Sequence, residues 1–278
     1  MNGFNSAAQA FDKIADLRLR RGAPNAIVHV LGYHEPGDGG ESTMFWDDDS
    51  TEADNGGTII QPNSVSGAGR WKMLFSGPIN VKWFGAKGDG ITDDWQNIQN
   101  IIDANYRYLY FPAGTYMISQ SITYAKSDPL YDASGNFNQN GIRLEGESEN
   151  TVSIVALSGF TGVYIIKLDG NASGNTDNHS PVGIVGVQVS NLTLRGLGRT
   201  STELIRGINI RALWYSVFSN LVIRDVKSNG VLVTGVTLPG KDDADTSAHC
   251  TFNNFHINNC GEAGFLAVYN RTGNFVFN

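Results

Sequence analysis

The chain has 278 residues with 33 glycines, 8 prolines and only 17% charged side chains, which favours a turn-rich all-β protein over a helical one. The formal net charge is −7 and no basic stripe is present, so nucleic-acid binding has no electrostatic support. No apolar run approaches the roughly 20 residues that cross a bilayer, and the N-terminal residues lack the apolar segment of a secretory signal. We therefore expect no membrane insertion.

The first part of the chain combines one amphipathic segment with short strand-like runs. Residues 1–22 place four apolar side chains near one helical face, which predicts a short helix that packs on its own domain or contacts another chain. These side chains are Phe4, Phe11, Ile14 and Leu17. Strand composition between turn-forming residues predicts strands over 26–33, 43–46, 58–60 and 69–75. A Ser-Gly-Pro turn then marks a boundary, so we predict a domain over residues 1–78.

Three adjacent carboxylates, Asp47, Asp48 and Asp49, raise the question of a calcium site. The regular ligand spacing and central glycine of an EF-hand loop are missing, so a solvated turn explains them better. Two cysteines, Cys250 and Cys260, stand alone in a long chain, which favours packed, reduced thiols over a disulfide. We therefore predict no metal and no cofactor.

A tight turn and a helix open the second part of the chain. Val81–Phe84 is predicted as a short strand before a glycine turn, and Thr92 or Asp93 then caps a helix over residues 94–104. The chain returns as strands over 108–111 and 116–119. A short amphipathic helix followed by strands is what a stack of β-coils needs at its open end, because the helix covers an edge that would otherwise pair with another chain.

A short phrase, an asparagine followed by alternating apolar residues, recurs in the second half of the chain. The copies are 191–194, 220–223, 254–257 and 274–277. Steps of 29, 34 and 20 residues with one constant phrase indicate a solenoid with a fixed rung and variable loops. Because side chains alternate along a strand, the second and fourth residues of each copy are expected to point inward. The asparagines are expected to form a hydrogen-bonded ladder at one turn.

A second rung recurs with a glycine at its first position. Its copies are 207–210, 230–233 and 264–267. Further strands are predicted over 142–144, 152–155, 163–168 and 184–189, and a polar surface loop over 124–140. The last phrase stops inside a rung, and a solenoid needs an element that covers its last apolar face. We therefore expect the natural chain to continue beyond residue 278.

Two sets of residues resemble bacteriophage tailspikes. The first set, similar to the opening of their pectate-lyase-like β-helix, is Trp83–Ala86, Gly88–Gly90, Thr92–Asp94 and Tyr110–Tyr116. The second set, similar to the small domain that often precedes that β-helix, is Gly32–Tyr33, Gly37–Gly40, Phe45–Asp47, Asp54–Thr58 and Gly69–Trp71. The resemblance implies an all-β protein in which residues 79–278 form a right-handed single-stranded parallel β-helix capped by a short α-helix. Residues 1–78 would form a small mixed, mainly β neck or virion-attachment domain.

The resemblance also implies a function. It implies a homotrimer of the virion tail, made in the host cytoplasm and attached through its N-terminal domain to a tail or baseplate protein. The full protein would bind and depolymerise a bacterial surface polysaccharide, either capsule or O-antigen, during host adsorption. We favour hydrolysis over β-elimination and expect the catalytic residues mainly beyond residue 278. Two alternatives stay open: a non-enzymatic adaptor fibre, and a secreted bacterial polysaccharide lyase, which would need a signal peptide.

Outward-facing residues on rungs and loops are the candidates for a site within this chain. Asp225 and Glu262 follow successive rungs, so a carboxylate pair one coil apart is geometrically possible, although ordinary turn positions also explain both. Arg195 and Arg224 are predicted to stack on one outer face, where they could bind an acidic sugar or pair with Asp225 or with another chain. His256 points outward by parity, as a solvated side chain or as a base.

Two further groups of acidic residues have simpler explanations or uncertain partners. Asp89, Asp93 and Asp94 cluster, but turn and N-cap positions explain them fully. The loop Gly240–His249 interrupts the late coils, and it could wall a groove or touch a neighbouring chain. Its ionisable residues are Asp242, Asp243, Asp245 and His249.

Overall fold

The computed structural model describes residues 9–173, 182–234, 247, 249–268 and 275–278. The chain divides into two compact units. One contains the residues up to Lys87 together with Gln96–Tyr106, and the other contains Gly88–Trp95 and the chain from Arg107 onward. None of the helices in the described ranges has the length and hydropathy that a membrane-spanning segment needs.

The first unit is built on a five-stranded sheet. In spatial order its strands are Gln9–Phe11, Ile27–Val30, Ser42–Asp47, Arg70–Met73 and Ile59–Ile60. The pair at one edge is parallel and the other pairs are antiparallel. Its fully buried core includes Leu17, Met44 and Ile60, and Trp46 packs edge to face on Trp71 with ring centroids 5.3 Å apart. The short strand Ile79–Asn80 also belongs to this unit.

The N-terminal helix predicted over residues 1–22 is wrong for most of the described part of that segment. Gln9–Phe11 is a strand, because it pairs in parallel with Val28–Val30, and only Ile14–Leu17 is helical. Tertiary pairing therefore overrides the helical periodicity of the segment. Phe4, the first apolar residue of that pattern, lies outside the described residues.

The strand predicted at Val81–Phe84 is also wrong, because this segment forms a 3₁₀ helix. The Asn80 side chain accepts a hydrogen bond from the Lys82 amide at 3.0 Å, and Gly85 at φ 90° ends the turn in the left-handed region. Such a cap and stop favour a tight helical turn over an extended strand. The predicted longer helix is confirmed over Trp95–Asp103, and Asn105 follows it at φ 62°.

The second unit is a parallel β-helix whose coils contribute strands to three faces. Face 1 begins with Tyr108–Phe111 and Arg143–Gly146, and face 2 begins with Gly114–Ile118 and Val152–Ala156. In the next three coils a single bent strand serves both faces, and these strands are Gln188–Arg195, Val217–Arg224 and Thr251–Asn258. Face 3 consists of Ile122–Ala125, Tyr164–Asp169, Arg206–Arg211, Val231–Thr234 and Phe265–Val268. Shorter strands are Asp89–Asp93 beside face 2, Ile184–Val185 paired with Leu213–Trp214, and Val276–Phe277 on face 1.

The predicted asparagine ladder is confirmed over three coils. Asn220 donates its Nδ2 to Asn191 Oδ1 at 2.9 Å, and Asn254 donates to Asn220 Oδ1 at 3.0 Å. All three asparagines adopt φ between 50° and 59°, the left-handed region that asparagine tolerates better than most residues. One such residue turns the strand from face 1 to face 2. The inward residues that follow, Leu192 and Leu221, are fully buried.

The fourth copy of the phrase does not continue the ladder register. Val276 pairs with Thr251 and Phe277 pairs with Phe252, so Phe277 does not lie beside Ile257 as the repeat predicted. The Phe277 ring instead stacks on Phe252 with centroids 5.2 Å apart, and it remains 59% exposed. Asn274 lies outside the described residues.

The second predicted rung is confirmed on face 3, where Ile208, Val231 and Phe265 lie in register. Its first position has to be glycine in successive coils. A Cβ on Gly207 would lie 2.2 Å from the Gly230 carbonyl oxygen, far inside contact distance. The close approach of neighbouring backbones therefore explains the recurring glycine. The predicted all-β fold, a parallel β-helix after a small mixed sheet, is confirmed.

Candidate functional site

A surface cavity of about 380 Å³ lies on the β-helix at the corner between faces 2 and 3. Met117, Val155 and Arg195 follow one another in register on face 2 and contribute one side of it. The corner residues Gly196–Gly198 and Asp225 contribute the other side. The cavity therefore combines an apolar wall with one guanidinium and one carboxylate on a rigid parallel sheet.

The charged residues of the cavity are held by each other and by the next coil. Arg195 Nε lies 3.1 Å from Asp225 Oδ2, and the Arg195 side chain remains 51% exposed. Asn259 donates its side-chain amide to the other carboxylate oxygen, Asp225 Oδ1. Asp225 adopts φ 58°, so its backbone directs the carboxylate out of the strand line at this corner. Because Asp225 accepts hydrogen bonds from both Arg195 and Asn259, it fixes the position of the Arg195 guanidinium beside the cavity.

Glu262, the predicted partner of Asp225, has contacts of its own. The register places Asp225 opposite Asn259, while the Glu262 carboxylate accepts a hydrogen bond from the Ser228 hydroxyl. Arg206 Nε donates to the same hydroxyl at 3.2 Å. The two carboxylates thus belong to two separate hydrogen-bond groups, which gives no support to an acid and nucleophile pair.

The other predicted site residues follow the expected register. Arg224 pairs with Arg195 on face 2, and both side chains are exposed. His256 is exposed and lies opposite Val222. Of the predicted loop 240–249, Asp242, Asp243 and Asp245 lie outside the described residues, whereas His249 is described and exposed.

The acidic residues considered in the sequence accept hydrogen bonds from nearby groups of the protein. Asp93 Oδ1 accepts the amides of Trp95 and Ser119, each at 3.1 Å, and Asp94 Oδ2 accepts the Gly88 amide at 2.9 Å. In the first unit, Asp48 accepts the Trp46 indole N–H. Within the described ranges, no group of three or more His, Cys, Asp or Glu side chains is positioned to hold a metal ion.

Most of the chain matches one protein family. Residues 78–267 match the family described as rhamnogalacturonase A/epimerase, pectate lyase-like. The chain belongs to this pectate lyase-like family. Residues 10–76 match a second description, the small four-stranded β-sheet domain of phage tail proteins.

Relatives of this pectate lyase-like chain include phage tail proteins. It is 31% identical over 145 residues to the Mu-like prophage FluMu defective tail fiber protein of Haemophilus influenzae, covering 50% of this chain and 23% of that protein. Bacteriophage CBA120 tailspike protein 2, enzymatically active domain, has TM-score 0.63 at 14% identity and covers 95% of this chain and 36% of that chain. Tailspike gp49 of Acinetobacter baumannii bacteriophage Fri1, a capsular polysaccharide depolymerase, has TM-score 0.57 at 16% identity and covers 90% of this chain and 42% of that chain. The chain spans less than half the length of each. The resemblance to tailspikes with a pectate-lyase-like β-helix is thereby confirmed.

Two clusters on the pectate lyase-like helix were not found by sequence reasoning. On the outer side of face 1, the Arg143 guanidinium lies 4.4 Å from the Tyr108 ring centroid and pairs with Glu145 at 2.8 Å. At the corner between faces 3 and 1, five ring side chains meet: Tyr131, Phe137, Trp214, Tyr215 and His249. The ladder register offered a signal for the last two, because Tyr215 and His249 precede their ladder asparagines by the same number of residues.

Proposed function

We propose that this chain is part of a phage tailspike that binds a bacterial surface polysaccharide, capsule or O-antigen, during host adsorption. The observation that carries the proposal is the cavity beside Arg195 and Asp225 on a rigid β-helix, in a chain whose first residues match a phage tail domain. A half-exposed guanidinium next to an apolar wall can hold a sugar hydroxyl or carboxylate while the wall contacts the ring.

The assembly forms the second part of the proposal. Residues 1–78 mount the protein on a virion tail or baseplate protein, and residues 79–278 form the glycan-binding β-helix of a homotrimer. The phage tail fibre relative and the phage tail domain match support the virion location. The protein would be made in the host cytoplasm with the other tail components.

Cleavage of the polysaccharide is proposed for the whole protein rather than for the cavity beside Arg195. Hydrolysis remains favoured over β-elimination, and the catalytic residues are proposed to lie mainly beyond residue 278. A binding role for the cavity itself is supported by Arg195, because Asp225 holds its half-exposed guanidinium where it can donate to a sugar oxygen. That same observation favours the second candidate, a non-enzymatic adaptor fibre.

The test measures binding to an array of purified capsular and O-chain polysaccharides. Arg195→Gln is expected to lower the affinity about tenfold or more, because a hydrogen bond to a charged group contributes roughly 1.5–3 kcal/mol. Arg20→Gln makes the same charge change at an exposed position of the first unit and is expected to bind like the unchanged protein. Equal affinity in both variants would contradict a role for the cavity.

The same polysaccharides distinguish the chemistry when they are incubated with the full-length protein. New reducing ends indicate a hydrolase, and new ultraviolet absorbance from an unsaturated uronate indicates a lyase. Binding without either product indicates an adaptor fibre. The absence of binding to any polysaccharide contradicts the proposed function.

A further inference from the structure

Two aromatic rings stack on the outside of the β-helix at the corner between faces 3 and 1. Tyr215 and His249 occupy equivalent positions in consecutive coils, because Val217 and Thr251 pair two residues later. The ring centroids are 4.7 Å apart and the planes are inclined by only 3°. Phe137 packs against Tyr215 edge to face at 5.1 Å. Tyr215 is nevertheless 47% exposed, so the stack lies at the surface.

The backbone holds this stack in an unfavourable conformation. Tyr215 has φ 51° and His249 has φ 55°, both in the left-handed region. Tyrosine rarely adopts this conformation, because its Cβ comes too close to the following carbonyl oxygen, whereas histidine is found there more often. The equivalent position one coil earlier is Gly186 at φ 82°, where the same conformation is free of that close contact. Strain kept at a rigid position is a reason to look for a function.

The surroundings of the stack combine ring faces with an amide. Because Gly186 has no side chain, no ring continues the column beneath Tyr215 at that position. The Gln139 amide oxygen lies 3.3 Å from where a Gly186 Cβ would be. Tyr131 and Trp214 contact Phe137 with centroids 4.9 and 6.4 Å away, and Tyr131 is 44% exposed. We call the set Tyr131, Phe137, Trp214, Tyr215 and His249 the aromatic platform.

We propose that the aromatic platform is a second glycan-binding subsite, which takes a pyranose ring by stacking its C–H face on exposed aromatic rings. The inference rests on the proposed function, since it adds a subsite for the same class of ligand. Rigid amphipathic rings supply a large contact area with little loss of conformational entropy, and a neighbouring amide can bond to ring hydroxyls. A nucleobase could also stack on such rings, but the net charge of −7 opposes a nucleic-acid backbone.

The test separates binding from a purely structural role of the rings. Tyr215→Ala and His249→Ala are each expected to weaken binding of the full chain to its best polysaccharide on the array about tenfold, while Tyr215→Phe keeps the ring and binds like the unchanged protein. Ile91→Ala is the matched control, because Ile91 is 82% exposed in the same unit and lies outside the platform. It is expected to have no effect.

Tyr215→Gly distinguishes a loss of glycan binding from a loss of stability. Glycine removes the ring but also the left-handed strain, so the unfolding midpoint is expected to hold or rise while binding falls. Unchanged binding in Tyr215→Ala and Tyr215→Gly overturns the platform but leaves the proposed function intact when Arg195→Gln still weakens binding. A protein that binds no polysaccharide overturns both.

Discussion

The asparagine ladder makes a quantitative prediction about the corner between faces 1 and 2. Asn220 lies in the middle of the ladder, donating to Asn191 at 2.9 Å and accepting from Asn254 at 3.0 Å. Asn220→Ala removes both hydrogen bonds, at roughly 1 kcal/mol each. It also places alanine at φ 51°, which costs roughly a further 1 kcal/mol. We therefore expect a loss of about 3 kcal/mol of unfolding free energy.

A second substitution at the same residue separates the two contributions. Asn220→Gly also loses both hydrogen bonds but adopts the left-handed conformation without steric cost, so we expect a smaller loss of about 2 kcal/mol. Ser219→Ala is the control, because Ser219 precedes the ladder residue on the same strand and is similarly half-buried. Its expected effect is below about 0.5 kcal/mol.

The assay is equilibrium unfolding in guanidinium chloride, monitored by tryptophan fluorescence. The same slope of unfolding free energy against denaturant concentration is used for all variants. The reasoning about the backbone is refuted if the Gly variant is less stable than the Ala variant. The reasoning about the hydrogen bonds is refuted if the Ala variant lies within about 0.5 kcal/mol of the unchanged protein. The second result would mean that the corner is held by the buried rungs rather than by the ladder.

Three more predictions concern packing, pH and thiol chemistry. Gly207→Ala should prevent the correct stacking of face 3 and yield insoluble protein, whereas Gly67→Ala, with open space at its Cβ position, should remain soluble. Burial acts to raise the pKa of Asp54, but hydrogen bonds from the Arg18 guanidinium and from the Gly56 and Gln61 amides outweigh it and hold the pKa below its ordinary value of 3.8. The stabilisation from this carboxylate is thus present above about pH 4 and lost as the pH falls through the lowered pKa. Asp54→Asn should be less stable at pH 7 and lose less on acidification in thermal unfolding scans. Burial raises the pKa of Cys250 to about 12, so a maleimide at pH 8 should modify the half-buried Cys260 first and Cys250 only after denaturation, as mass spectrometry would show.

The parts of the fold that repeat were predictable, because repetition adds weak indications together. One phrase of Asn and alternating apolar residues placed the bend, the inward side chains and the register of three successive coils. The fourth copy shows the limit of that reasoning. Phe275–Phe277 has the right chemistry for a rung, but its step of 20 residues was the shortest in the series. The observed pairing of Thr251 with Val276 shows that the coil needs more residues than that step allowed.

The candidate site was only partly predictable. The alternation of side chains along a strand and the pairing of successive coils predict which way a side chain points, but not which residue it contacts. The stacking of Arg195 and Arg224 followed from the repeat, and pairing of Arg195 with Asp225 was one of the alternatives. The hydrogen bond from Asn259 to Asp225 and the hydrogen bond from Ser228 to Glu262 depend on the geometry of the corners, which the sequence periodicity does not predict. The aromatic platform was missed for a related reason, since tyrosine is uncommon in the left-handed region and neither Tyr215 nor His249 belongs to the repeated phrase.

The three corners of the β-helix have different roles. In the first two coils faces 1 and 2 are joined through residues 112–113 and 147–151, whereas in the next three a single left-handed asparagine makes the turn. A corner reduced to one hydrogen-bonded residue has no room for an inserted loop, so variation in length falls on the other two corners. The cavity beside Arg195 lies at one of these corners and the aromatic platform at the other. If a glycan contacts both, its affinity depends on their relative position along the coils, to which the ladder contributes beside the strand pairing, so weakening the ladder should lower affinity without altering either site. A ladder variant that loses stability but keeps full affinity would show that the two sites act independently.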